Sequence, residues 1–180
     1  MKNLIASLFI LVAGLFAAPA MAAMTDAQQQ TLAAHIRANT DPAVVAALAQ
    51  RNDVALADHY NGASSFIVWR TSILPDEYRD AIVWTAVDGL MAGKARIWEW
   101  VTAGMTLPID ASKTNVRQGI ADAWGATSAT GLALTALAKR PASRAENLYT
   151  TGTGKTANPG LLTWEGPLHY NDVSDALNRY

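Results

Sequence analysis

A mainly α fold is what this chain predicts: a compact bundle of about six or seven helices with one or two short extended segments. Three observations carry the prediction. Capping residues recur just ahead of apolar stripes at helical spacing. The chain is 51% hydrophobic and 16% charged over 180 residues, enough apolar material for a core of its own. Only "FIVWRTSI" (66–73) is dominated by β-branched and aromatic residues.

Thr25 or Asp26 caps a first helix running to about Asn39, with Leu32, Ile36 and alanines on one side. In "TDPAVVAALAQR" the Asp41 side chain accepts from free backbone N–H groups. Pro42 suits the first turn, where its missing N–H costs nothing. Asn52 or Asp53 caps "VALADHY", and Asn61-Gly62 closes that helix. The 66–73 stretch is a short strand or an extended buried segment. Pro75-Asp76-Glu77 opens another helix, its acids favouring the positive end of the dipole.

From Leu90 the apolar positions Ile97, Trp98, Val101 and Met105 keep helical spacing, while Gly89, Gly93 and Gly104 weaken or bound the helix. Asp110 is the expected cap of "ASKTNVRQGIADAW", where Val116, Ile120 and Trp124 form an i, i+4, i+8 stripe. The small residues of "SATGLALTALAKR" suit close packing. Pro141 is expected to end that helix and start "PASRAENLY". Residues 150–160 read as a flexible loop, "LLTWEGPLHY" as a second extended piece, and Asp172 as the start of a last short helix. No repeat or linker divides residues 24–180, which are expected to form a single helical domain.

The N-terminus carries its own message. "MKNLIASLFILVAGLFAAPAMAA" joins a basic start at Lys2 to an apolar run ended by Pro19 and an Ala20-Met21-Ala22 box. That is the pattern of a secretory signal peptide over residues 1–23, and the run is short for a spanning helix. Once it is removed, no stable membrane span is expected. Met24 begins a plausible start of its own, so the segment also reads as an N-terminal extension from an upstream start codon.

Chemistry is sparse. A formal net charge of −1 and no basic run argue against nucleic-acid binding. With no cysteine there is no disulfide, thiol nucleophile or cysteine zinc site. "TTGTGKTANPG" (150–160) ends like a P-loop, but Tyr149 stands where the first glycine belongs, and neither flank is the required strand or helix. Glu99 lies between Trp98 and Trp100, where an apolar setting would raise its pKa as in the general acid of a glycosidase. A structural pair with Arg96 is the favoured reading. His35, His59 and His169 are scattered and match no catalytic or metal motif. No cofactor is expected. Six tryptophans are generous for this length and suit a protein–protein interface.

Several blocks together have a further resemblance: "RNDVALADHYNG", "FIVWRTSI", "VDGLMAGKARIWEW", "ASKTNVRQGIADAW" and "AKRPASRAENLYTTGTGKTANPGLLTWEGPLHYNDV". In this order they resemble a family of small virion-morphogenesis proteins of tailed bacteriophages and prophages, over about residues 41–175. The resemblance brings no catalytic residue. It implies a structural part of the virion, at the head–tail or neck region, rather than an enzyme. The partners it implies are other virion proteins or further copies of the chain. Trp98, Trp100, Lys155 and Trp164 are the candidate interface residues. The expected location is the virion, or the host cytoplasm during assembly. A working leader would place the protein instead in the periplasm or outside the cell, as a helical binding protein or a cell-wall hydrolase using Glu99.

Overall fold

Local signals in the chain account for most of the helix starts in the computed structural model, which describes residues 23–180. The leader-like segment lies outside these residues but for Ala23. Thr25 and Gln28 form a reciprocal capping box that opens α1 (Asp26–Ala38). Asp41 accepts from the Ala43 N–H at 2.9 Å and Pro42 occupies the first turn of α2 (Pro42–Ala49). Asn52 does the same for α3 (Asp53–Asn61), which Gly62 ends.

Then come β1 (Ala63–Trp69), α4 (Pro75–Asp80), α5 (Ala92–Thr102), α6 (Thr114–Trp124) and α7 (Ala129–Leu137). The chain closes with β2 (Lys139–Ser143), α8 (Arg144–Asn147), β3 (Thr150–Thr151), β4 (Leu161–Leu162) and α9 (Tyr170–Arg179). The described residues are thus mainly helical, with nine α-helices and two small antiparallel sheets, β1 with β2 and β3 with β4.

Three starts differ from the sequence expectation. The Asp110 side chain accepts from the Ser112 N–H and hydroxyl, closing a turn ahead of α6 instead of capping it. His169, not Asp172, caps α9, and Asp172 reaches back to the His169 N–H. Pro141 sits in β2 opposite Ile67 rather than between helices. A proline is tolerated there because both backbone groups of Ile67 turn away from β2. The Ile67 N–H donates to the Gly154 carbonyl at 2.8 Å, and its carbonyl accepts from Gly160 at 2.8 Å. Pro141 therefore occupies a non-hydrogen-bonded position, where its missing N–H is not needed.

The same bonds revise the picture of 150–160. The Trp69 N–H also donates to the Gly160 carbonyl, so this stretch lies along the free edge of β1 instead of hanging loose. The Phe66 ring presses on the backbone at Gly154 and Gly160, where a Cβ would collide with it.

Apolar burial falls into two clusters. One joins the two ends of the described chain: Leu32, Ile36, Val44, Leu56 and Tyr60 pack with Tyr149, Trp164, Leu168 and Val173. The other is made by the middle: Ile73, Tyr78, Trp98, Ile109, Ile120, Trp124 and Leu134. β1 leads into the middle segment and β2 leads out of it.

Candidate functional site

The most unusual surface is on α5. Successive side chains of a helix point about 100° apart, so Trp98 and Trp100 part company. Trp98 is 7% exposed and lies edge-on between Tyr78 and Trp124, with ring centroids 6.1 and 5.4 Å away. Trp100 is 84% exposed. Beside it runs a groove of about 440 Å³, lined by Gly93, Ile97, Trp100 and Val101 of α5 and by Val116 and Gly119 of α6, with the polar Arg96 and Asn115. Its floor exists because Gly119 has no side chain: a Cβ there would lie 2.6 Å from Val101 Cγ2. Met91, just ahead of the helix, and Ile97 are exposed as well.

Of the four candidate interface residues, Trp100 and Lys155 are exposed. Trp98 and Trp164 are corrected: both are buried, and each belongs to a different cluster. Trp164 packs edge-on against Tyr149, whose hydroxyl donates to the Gln28 carbonyl at 2.7 Å. Burial pushes the Tyr149 pKa above the usual tyrosine range. Core packing thus takes the surface that the interface reading needed.

Glu99 is exposed, and no ion pair joins it to Arg96, so the expected structural pair is also corrected. No apolar enclosure forms around its carboxylate. The histidines serve local roles. His35 Nδ1 is 2.7 Å from the Tyr60 hydroxyl, His59 meets the same ring edge-on, and His169 caps α9. Among the described residues no group of three His, Asp or Glu is arranged to hold a metal ion. No described helix is long and apolar enough to cross a membrane.

A second polar site has no counterpart in the sequence reading. Arg140 of β2 forks onto Glu146 of α8 at 2.7 and 2.8 Å, and also reaches Glu165 at 2.8 Å. The other Glu165 oxygen accepts from the Thr71 hydroxyl. Glu146 closes a capping box with Ser143 and accepts from the Gly166 N–H. A cleft of about 350 Å³ opens beside the group. Burial opposes ionisation of Glu146, but Arg140 and the Ser143 and Gly166 N–H groups outweigh it and hold the carboxyl below its usual range. The one available signal was the S-x-x-E spacing of Ser143 and Glu146, a helix-start signature. Both carboxylates are bound to one guanidinium, so the arrangement is a clamp and not a pair poised for acid–base work.

Compared with protein-family models, curated proteins and solved structures, the chain finds no match.

Proposed function

We propose that the chain is a non-catalytic structural subunit of a phage particle, acting through protein–protein contacts made by the α5–α6 face. One observation carries the contact: a tryptophan 84% exposed at the mouth of an apolar groove. Tryptophan is among the residues that most often dominate interface energetics, and a large apolar side chain held in water has nothing to gain unless something covers it. The virion setting rests on the sequence resemblance over about residues 41–175, with the head–tail or neck region as the position it suggests.

The test is mass spectrometry of purified particles made with the native gene. The protein is expected in the particle, and Trp100→Ala is expected to lower its incorporation about tenfold or more. Because Trp100 is exposed, the same change should alter folding stability by no more than about 0.5 kcal/mol. Absence from particles, or full incorporation of the variant, sinks the proposal.

The leader-like residues 1–23 favour a second reading, an exported helical binding protein using the same face. N-terminal sequencing of separated cytoplasm and periplasm decides between them. A periplasmic species starting at Ala23 or Met24 selects export, and a cytoplasmic one starting near Met24 selects assembly inside the host.

A further inference from the structure

We infer that a polar cleft between α1, α9 and the turn joining α2 to α3 is a binding site for a small monocarboxylate, independent of the α5–α6 face. The cleft encloses about 180 Å³. Arg37 of α1, Leu48 of α2, Arg51 of the turn, Asp53 at the start of α3, and Ser174 and Asn178 of α9 line it.

Arg51 stands where the backbone calls for glycine. α2 ends in a Schellman turn: the Asn52 N–H donates to the Ala47 carbonyl at 2.9 Å, and the Arg51 N–H to the Leu48 carbonyl at 3.1 Å. This puts Arg51 in the left-handed region, with φ of 51°. Any residue with a Cβ is strained there, and glycine is the usual occupant. No charge pairing offsets the strain, since among the described residues Arg51 has no ion-pair partner. A side chain that breaks a local rule without local compensation is expected at a functional site.

Arg37 reaches the same cleft from a different element, and it too has no ion-pair partner among the described residues. One of its terminal nitrogens donates to the Leu177 carbonyl at 2.9 Å. That bond steadies the guanidinium and leaves most donors of its fork for a ligand. The Ser174 hydroxyl accepts from the Asn178 amide at 3.3 Å, which leaves the hydroxyl proton for an incoming oxygen.

Guanidinium forks match the oxygens of a carboxylate or a phosphate. Asp53 decides between them. Two arginines and one aspartate leave a single net positive charge, which a monoanion balances. A phosphate dianion would leave excess negative charge beside the Asp53 carboxylate. A water takes about 30 Å³ of liquid, so the cleft has room for about six non-hydrogen atoms. Leu48 and Leu177, both half-buried, give the tail of such a molecule an apolar wall. Butyrate and a glutamate side chain both present this chemistry.

The test is a titration followed through arginine Nε–H resonances, on isotope-labelled protein purified from cells expressing the whole gene. The probes are butyrate and its neutral isostere butyramide. Butyrate should shift the Arg37 and Arg51 resonances with a dissociation constant on the order of millimolar, as suits so small a ligand. Butyramide should shift neither. Arg37→Gln should weaken butyrate binding about tenfold or more. Arg51→Gly should do the same while raising the melting temperature by about 2–4 °C, because glycine relieves the turn. An arginine kept for stability alone would lower it. Asp53→Asn should raise the affinity for inorganic phosphate more than that for butyrate. A capped Ala-Glu-Ala tripeptide separates the two sources of the carboxylate. Binding tighter than butyrate supports a partner's glutamate, and binding no tighter supports a free acid. No saturable butyrate response, an equal response to butyramide, phosphate binding tighter than butyrate in the wild type, or a less stable Arg51→Gly variant would each overturn the inference.

Discussion

Glu146 is 3% exposed, and a carboxylate buried that far is costly unless paired and hydrogen-bonded. Here Arg140 supplies two hydrogen bonds and the backbone supplies two more, from Ser143 and Gly166. Removing the guanidinium while keeping the bulk, as in Arg140→Met, leaves a buried charge with only backbone donors. The expected cost is about 2–4 kcal/mol in chemical denaturation at pH 7. The folded pKa of Glu146 lies below its ordinary value of 4.5, so its stabilisation is fully present above pH 4.5. That contribution is lost as pH falls through the folded value. The gap between wild type and Arg140→Met should therefore be widest near neutrality and close below pH 4.5. A gap independent of pH would show that Arg140 acts through packing alone.

At the scale of elements, the least expected feature is the 150–160 segment serving as a neighbour of β1. Three backbone hydrogen bonds hold it at Ile67, Trp69 and Gly160. Two glycines let it approach. Gly154 has φ of 64°, in the left-handed region that favours glycine, and a Cβ on Gly160 would lie 2.6 Å from the Thr151 carbonyl oxygen. The amide protons of Ile67, Trp69 and Gly160 should exchange slowly with solvent, as those of a sheet interior do. Gly160→Ala should cost about 2–4 kcal/mol and speed exchange at all three. Fast exchange at Gly160 in the wild type would mean the segment is loose after all.

At the scale of the molecule, apolar burial divides into two clusters. One is drawn from both ends of the described chain and the other from its middle. What joins them is specific. Val68 is fully buried in the ladder, the Arg70 N–H donates to the Ala138 carbonyl at 2.9 Å, and Thr71 is tied to Glu165, which is tied to Arg140. Losing either cluster frays these ties, so the two should unfold together. In a urea titration followed by indole N–H resonances, Trp98 and Trp124 report the middle cluster and Trp164 the terminal one. A common midpoint is expected, and separate midpoints would make the clusters independent units.

Caps, proline positions and apolar stripes are local signals, acting over three or four residues, and the sequence by itself determined what such signals can determine. The helical class, the starts of α1, α2 and α3, the stop at Gly62 and the extended 66–69 stretch were all legible. The divergence of Trp98 and Trp100 was also readable, since neighbours on a helix face different ways. Which of the two faces the core was not, because that depends on where α6 lies. The strand through Pro141 was hidden for the same kind of reason. Proline is acceptable there only because Ile67 spends its backbone groups on a segment nearly ninety residues further on. Arg140, Glu146, Glu165 and Thr71 converge from three stretches of chain with no shared pattern. Only the tertiary structure decided these, since partners distant in sequence are chosen by packing and not by the chain's local preferences.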